Sequence, residues 1–388
     1  MSVMTEPDRL PPMSVVGRLD RLRHAFDDVE AGGVAVEALL VTTPANIRWL
    51  TGFSGSAGLL LVTAERAVLT TDGRYRTQSV EQLAAAGVGD EVTIVVGGVQ
   101  AQRDALAGAA GSAVRIGLEA DHVTWGAQRS WAEIFAPAEL LPTRGVIEGL
   151  RVVKDAGEIL RMERAAAIAD QGLAAVLPML AAVGSPNGSA RPLTESGFAA
   201  ALDHAMRLAG AEDSAFETIV ASGDNSAKPH ARPGNRQIRP GDPVVVDFGA
   251  IFDGYRSDMT RTFCVGGEPT GELARVFAVV AESQRAGVGA VHPGIETGAV
   301  DLVCRRVIDD AGWGERFEHG TGHGVGLDIH EAPSVGPGST AILSPGAVIT
   351  VEPGVYLPGT GGVRIEDTLV VTEDGSRSLT QFPKEVPV

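Results

Sequence analysis

Short apolar runs alternate with amphipathic stretches along the first part of the chain. The stretch VVGRLDRLRHAF, from about Val15, has apolar residues at helical spacing, and residues 74–86 form a second stretch of this kind. Between and after them lie the β-rich runs EALLVT, GLLLV, RAVLTT, VTIVV and VRIGLE. Alternating strands and helices are typical of an α/β domain. We therefore predict an α/β domain over residues 15–145, preceded by a flexible tail over residues 1–14.

The pattern changes in the second part of the chain. Asp155 and Glu158 have the spacing of a helix capping box, with Asp in place of the usual Ser or Thr, and predict the start of a long helix. Further helices are predicted at residues 195–208, at about 271–290 and at about 296–311. The intervening residues have the pattern of strands, hairpins and turns. Residues 146–388 are thus predicted to form an α+β domain with antiparallel sheet and flanking helices.

Charge and cysteine content exclude several classes of protein. The formal net charge is −17, whereas binding to nucleic acid or to an anionic membrane depends on clustered Lys and Arg. Two cysteines among 388 residues do not make a disulfide framework. The N-terminus lacks the apolar core of a signal peptide, and no apolar run is long enough for a transmembrane helix. We therefore expect a cytoplasmic protein that binds neither nucleic acid nor a membrane.

Two aspartates are predicted to share one face of a hairpin within residues 243–263. Asp253-Gly254 lies between β-rich runs, which is the sequence signal of a two-residue hairpin turn. In the strand register set by that turn, Asp247 and Asp258 are diagonal neighbours on the same face. Two carboxylates this close repel each other unless a positive charge lies between them. A divalent ion is the natural candidate.

Two glutamates form a second pair of candidate ligands. Glu352 ends an apolar run just before a Pro-Gly turn, and Glu366 lies inside another apolar run. A glutamate in a buried strand costs considerable free energy unless it is paired or bound to a metal. Arg364 shares the face of Glu366, two residues away on the same strand, where its guanidinium could hold the carboxylates in place.

The segment HGTGHGVGLDIHE, residues 319–331, supplies histidines. Its alternating glycines disfavour a helix and allow close approach of the backbone to a crowded site. In an extended segment His319 and His323 point to one side and His330 to the other. Four carboxylates and one imidazole suit two divalent ions of the Mn, Co or Zn type. The G-x-S-x-G, H-E-x-x-H and Walker motifs of other hydrolases do not occur.

The chain resembles the pita-bread metallopeptidases in four motifs: VDFGAIFDGYRSDMTRTF, HGTGHGVGLDIHE, EPGVY and VRIEDT. That family includes Xaa-Pro aminopeptidases, prolidases and methionine aminopeptidases. The N-terminal half is similar to the creatinase-type domain of the Xaa-Pro members in NIRWLTGFSGS, DGRYRTQ and LEADHVTW, followed by LRVVKDAGEI. The resemblance covers nearly the whole chain. It implies a creatinase-type domain over residues 15–145 and a pita-bread catalytic domain over residues 146–388.

The resemblance also implies roles for individual residues. It implies metal ligation by Asp247, Asp258, His323, Glu352 and Glu366. It further implies that His230 contacts the substrate near the scissile bond, that His330 stabilises the tetrahedral intermediate, and that His319 lines the substrate pocket. By the same hypothesis Glu352 is the general base, and Arg364 is counted among the residues that hold the substrate.

We therefore expect an Xaa-Pro aminopeptidase that acts on proline-containing peptides through a hydroxide bridging two metal ions. The oxygen-rich ligand set favours Mn, although Co or Zn would fit. A homodimer is expected by resemblance. The alternative within the family is a prolidase, which cuts only Xaa-Pro dipeptides. Two more remote alternatives are a non-catalytic peptide-binding module and a two-metal hydrolase of another substrate such as a phosphoester.

Overall fold

The computed structural model describes residues 10–26, 35–185, 192–384 and 388. The chain divides into two compact units, Met1–Arg151 and Val152–Val388. The domain boundary predicted after residue 145 lies at the start of the helix Val146–Arg151, which belongs to the first unit. Most of the predicted tail, residues 1–9, lies outside the described residues.

The first unit is an α/β domain built on a six-stranded mixed sheet, as predicted. Its strands are β1 (Ala38–Val41), β2 (Gly58–Thr63), β3 (Ala67–Thr71), β4 (Thr93–Val96), β5 (Arg115–Glu119) and β6 (Glu139–Thr143). Its helices are α1 (Arg18–Ala25), α2 (Pro44–Thr51), α3 (Arg76–Ala85), α4 (Val99–Ala110), α5 (Trp125–Ile134) and α6 (Val146–Arg151). The strand order is β4-β3-β2-β1-β5-β6, in which β3–β4, β1–β5 and β5–β6 are parallel pairs and the remaining two pairs are antiparallel.

In its described residues, the second unit combines four α-helices with antiparallel sheets. Its helices are α7 (Ala156–Ala181), α8 (Glu195–Leu208), α9 (Gly271–Ala290) and α10 (Thr297–Asp310). Its strands are β7 (Ile219–Ser222), β8 (Pro243–Phe248), β9 (Ile251–Phe252), β10 (Tyr255–Arg256), β11 (Met259–Cys264), β12 (Gly322–Gly324), β13 (Glu331–Val335), β14 (Val348–Val351), β15 (Gly354–Leu357), β16 (Gly361–Arg364), β17 (Asp367–Val371) and β18 (Ser376–Ser378). The two larger sheets have the orders β11-β8-β7 and β13-β12-β14-β17-β18.

Two local predictions that fix the frame of this unit are confirmed. Helix α7 begins at the predicted capping box: the Glu158 backbone N–H donates to Asp155 Oδ1 at 2.9 Å, and the Asp155 backbone N–H donates to Glu158 Oε2 at 3.0 Å. The hairpin β9–β10 turns at Asp253-Gly254. Its register continues into β8–β11, where Asp247 lies opposite Thr260. This register places Asp247 on β8 near Asp258, which directly precedes β11.

Apolar packing of helices against the two larger sheets holds this frame together. Helices α7 and α8 pack on the β8–β11 sheet through a buried cluster that includes Leu173, Phe198 and Val246. Helices α9 and α10 pack with β14 and β17 through a second cluster that includes Val280 and Ile349. Burial of this much apolar surface is the main source of stability. Within the described residues, no helix is both long and apolar enough to span a bilayer.

Candidate active site

The candidate site is a cavity of about 510 Å³ in the second unit. Its walls contain every site residue singled out from the sequence: Asp247, Asp258, His323, Glu352, Glu366, His230, His319, His330 and Arg364. A cavity of this size falls in the range of small-ligand and peptide sites. Residues distant in the sequence therefore meet around one space.

Five strands, β8, β11, β12, β14 and β17, bring the five candidate ligands to this cavity. Asp247 lies near the end of β8, and Asp258 directly precedes β11. His323 is the central residue of the short strand β12. Glu352 directly follows β14, and Glu366 directly precedes β17. Because β8–β11 and β14–β17 are antiparallel pairs, each pair of strands delivers two carboxylates to one edge.

Ligating atoms of Asp258, His323 and Glu366 all lie within 4.8 Å of one another. The Nδ1 atom of His323 lies 3.0 Å from the carbonyl oxygen of Gly324, which can only accept, so Nδ1 carries the proton and Nε2 keeps its lone pair. That Nε2 lies 3.4 Å from Glu352 Oε1 and 3.6 Å from Asp258 Oδ2. Three lone-pair atoms thus face one another, which is the arrangement that a cation stabilises.

Two cavity-lining residues each have a buried carboxylate oxygen that accepts no hydrogen bond from any described residue. These oxygens are Asp247 Oδ1 and Glu366 Oε1. The second oxygen of each group is held by protein: Arg364 Nη2 donates to Asp247 Oδ2 at 2.6 Å, and Thr260 Oγ1 donates to Glu366 Oε2 at 2.7 Å. A buried oxygen without a partner costs free energy. One oxygen of each carboxylate is therefore oriented by the fold while the other is left for a ligand.

The electrostatics lead to the same conclusion. Burial, together with repulsion from Glu366, Asp247 and Glu352, holds the pKa of Asp258 well above its usual value. Burial and the negative charges of Glu352 and Asp247 raise the pKa of Glu366 in the same way. Burial raises the pKa of Glu352 to about 8. Without a positive partner these carboxyls resist ionisation, whereas a divalent cation would hold them ionised. The residues fit a metal ion.

A buried tyrosine that the sequence analysis missed connects one pocket histidine to the ligands. His319 Nδ1 lies 2.8 Å from the carbonyl oxygen of Gly320 and donates to it, so its Nε2 accepts from the Tyr356 hydroxyl at 2.9 Å. Arg364 Nη1 donates to the same hydroxyl at 2.8 Å. Burial lowers the pKa of His319 to about 4, which keeps the imidazole neutral. Tyr356 lies within the EPGVY motif, and that motif was its only signal in the sequence.

The Gly-rich histidine segment is not a single extended strand, and the expectation that His330 points away from His323 is wrong. The chain turns back between β12 and β13, which pair with each other in antiparallel fashion. The turn places the two imidazole rings edge to face, with their centroids 4.4 Å apart. Burial lowers the pKa of both imidazoles. His230 lies on an exposed loop that borders the same cavity.

Close backbone packing between β12 and β14 fixes the metal-facing side of His323. The His323 backbone N–H donates to Thr350 Oγ1 at 3.0 Å, and this hydroxyl lies 3.2 Å from Glu352 Oε1. A Cβ atom added at Gly322 would lie 2.1 Å from the carbonyl oxygen of Thr350. Only glycine permits this approach, so the alternating glycines of the motif have a specific packing role here.

Comparison with known proteins agrees with the fold and identifies the family. The sequence model of metallopeptidase family M24 matches residues 161–373, and that of the creatinase/prolidase N-terminal domain matches residues 18–153. An uncharacterized peptidase of Bacillus subtilis is 39% identical over 369 residues, which cover 95% of this chain and 99% of the relative.

Two solved structures extend the comparison to three dimensions. An Xaa-Pro dipeptidase from Bacillus anthracis superposes with a TM-score of 0.87 at 37% identity and covers 96% of this chain and 99% of its own. An X-Pro aminopeptidase from Thermotoga maritima superposes with a TM-score of 0.82 at 32% identity and covers 95% of this chain and 99% of its own. Both similarities extend over the N-terminal unit and the unit that contains the cavity.

Proposed function

Because the chain belongs to metallopeptidase family M24, we propose that it is a metal-dependent aminopeptidase that hydrolyses the bond between an N-terminal residue and a following proline. The observation that carries the proposal is the ligand cluster at the base of the cavity. Ligating atoms of Asp258, His323 and Glu366 converge within 4.8 Å, and no described residue hydrogen-bonds to Asp247 Oδ1 or Glu366 Oε1. This family uses divalent metals, and the donor set fits them.

The proposed cofactor is a pair of divalent ions held by Asp247, Asp258, His323, Glu352 and Glu366. Four carboxylates bring four negative charges, which two divalent ions would neutralise. Mn is the proposed metal, because carboxylate oxygens outnumber the single imidazole nitrogen; Co and Zn are the alternatives. The bound ions would lower the pKa of a water molecule and polarise the scissile carbonyl group.

The residues of the chain perform the remaining steps. Glu352, oriented by the hydroxyl of Thr350, takes a proton from the attacking water and passes it to the leaving proline nitrogen. His330 donates a hydrogen bond to the oxygen of the tetrahedral intermediate, where negative charge develops. His230 and His319, which both line the cavity, position the peptide. Arg364 holds Asp247 in place and contributes positive charge to the substrate side.

Charge in the cavity supports an aminopeptidase over a strict dipeptidase. A dipeptidase has to bind the carboxylate of the proline that follows the scissile bond, for which a fixed cation is the usual partner. Arg364 is engaged by Asp247 and Tyr356. Arg232 is 83% exposed and pairs with Glu217 at 3.2 Å. Among the described residues that line the cavity, no buried Lys or Arg is left over for that carboxylate.

A prolidase is the second candidate, and it is favoured by the name of the similar dipeptidase from Bacillus anthracis. A non-catalytic peptide-binding module has no support, because all five candidate ligands line the cavity. The prediction of a homodimer and that of a cytoplasmic location stay predictions.

The test is a cleavage assay on metal-stripped protein with and without Mn²⁺, with Ala-Pro, Ala-Pro-Ala and Ala-Ala-Ala as substrates and products identified by mass. Release of Ala from Ala-Pro-Ala only in the presence of metal is the expected result. Cleavage of Ala-Pro alone would replace the proposal by the prolidase. Failure to cleave any of the three with metal demonstrably bound would refute the Xaa-Pro substrate class.

A further inference from the structure

The imidazole of His330 has little to hold it. Within the described residues its ring nitrogens have no hydrogen-bond partner, and its one ring contact is the edge-to-face contact with His323 at 4.4 Å. A group that hydrogen-bonds a developing oxyanion must nevertheless lie within a fraction of an ångström of the productive position. The backbone on either side of His330 must therefore supply the rigidity that the side chain lacks.

The adjacent residue supplies a buried anchor. Glu331 Oε2 accepts from Lys154 Nζ at 3.0 Å, and the two side chains are only 6% and 1% exposed. The other oxygen, Glu331 Oε1, accepts from the backbone N–H of Asp328 at 3.0 Å. A Cβ atom at Gly326 would lie 2.6 Å from Glu331 Oε2. The loop that precedes His330 thus wraps closely around one carboxylate.

Lys154 is itself tied to the strand framework of the site. Its backbone N–H donates to the carbonyl oxygen of Gly346 at 2.9 Å, and the backbone N–H of Gly346 donates to the carbonyl oxygen of Val371 at 2.9 Å. Val371 is the last residue of β17, the strand that directly follows Glu366. The ion pair therefore links the loop of His330 to the element that positions a candidate metal ligand.

We infer that the buried Lys154–Glu331 ion pair is a positioning device for His330, holding its imidazole against the oxyanion position. Neither residue touches the substrate; both act through His330. Glu331 is the first residue of β13 and His330 directly precedes it, so anchoring Glu331 inside the protein restricts the backbone from which the His330 side chain reaches the cavity. A buried ion pair is a weak source of stability but can fix one conformation. The inference rests on the role of His330 given in the proposed function.

The test is a double-mutant cycle on the full-length, metal-loaded protein with Ala-Pro-Ala as substrate. Its variants are Glu331→Gln, Lys154→Met, His330→Ala and the combination of Glu331→Gln with His330→Ala. Glu331→Gln keeps the shape of the side chain, and a fifth variant that carries both Lys154→Met and Glu331→Gln leaves no unpaired buried charge. Asp242→Asn is the control, since it removes the charge that pairs with Arg236 at 2.6 Å, Asp242 is only 13% exposed, and neither of these residues lines the cavity.

We expect Glu331→Gln to lower kcat about 10- to 100-fold with KM nearly unchanged. In the His330→Ala background, adding Glu331→Gln should cause no further loss of kcat. The control should keep the kcat of the unmodified chain. If Glu331→Gln lowers kcat equally with and without His330, the ion pair does not act through His330 and the inference fails. If Glu331→Gln keeps full kcat while His330→Ala loses it, the inference fails and the proposed role of His330 survives. If His330→Ala keeps full kcat, both fail.

A second readout does not depend on activity. The chain has eight histidines, so selective ¹³C labelling of the imidazole Cε1 gives a spectrum in which His330 is assigned by its loss in His330→Ala. Glu331→Gln and the doubly substituted variant should shift or broaden the His330 signal and leave that of His204, on helix α8, unchanged. An unchanged His330 signal in a folded Glu331→Gln protein would overturn the inference even if the substrate class proved wrong.

Discussion

Removing the metal should make the stability of the second unit fall as the pH rises. The perturbation is chelation, which leaves Asp258, Glu352 and Glu366 buried beside one another without a cation. Glu352 has an ordinary pKa of 4.5 and a pKa of about 8 in the folded chain. The folded apo-protein therefore binds this proton more tightly than the unfolded chain does. Protonation of Glu352 stabilises the folded apo-protein fully at pH values below 4.5, and this stabilisation is lost as the pH rises through about 8.

The size of this effect follows from the shift. One pKa unit corresponds to about 1.4 kcal/mol, so Glu352 alone lowers the free energy of unfolding by up to about 5 kcal/mol between the two values. Burial shifts the pKa of Asp258 and of Glu366 in the same direction. For a unit of this length, about 5 kcal/mol corresponds to roughly 10 to 20 °C in melting temperature. Bound cations hold the carboxylates ionised, so the metal-loaded protein should show the opposite trend.

The assay is scanning calorimetry from about pH 5.5 to about pH 8, with EDTA and with Mn²⁺. Asp258→Asn removes one of the repelling carboxylates. In EDTA this variant should melt at a higher temperature than the unmodified chain at the upper pH, and Mn²⁺ should stabilise it less. A melting temperature in EDTA that stays constant or rises over this range would refute the electrostatic description of the site.

Three further results are expected. His330→Ala should lower kcat about 100- to 1000-fold with a small change in KM, measured with Ala-Pro-Ala, because the lost contact forms only in the transition state; equal losses in binding and turnover would contradict this. Arg364→Met should weaken metal binding about 10- to 100-fold in calorimetric titration, because Asp247 loses its orienting donor; unchanged affinity would remove that role. Gly322→Ala should abolish metal binding in a chain that still folds, because its Cβ meets Thr350 and displaces β12; wild-type affinity would show that β12 can shift at no cost to the site.

The sequence predicts the parts of the site that depend on local rules. Asp253-Gly254 sets the hairpin and its register, and the capping box at Asp155 sets the start of α7, because both depend on residues close together in the chain. The partners that orient the ligands are different. Tyr356 contacts His319, and Lys154 contacts Glu331, only because tertiary packing brings distant segments together. Nothing in the sequence near Tyr356 or Lys154 indicates these partners. The same limit explains the error over His330, which depends on a turn between β12 and β13 that alternation alone does not reveal.

The placement of the proposed ligands on or beside five separate strands has a consequence for biosynthesis. Asp247 is translated long before Glu366, and the strands that bear them meet only in the finished sheets. A nascent chain therefore carries an incomplete set of acidic groups until β17 has emerged and paired with β14. A metal ion that needs all five residues would therefore bind only after this last pairing, to a chain whose strands are already in place.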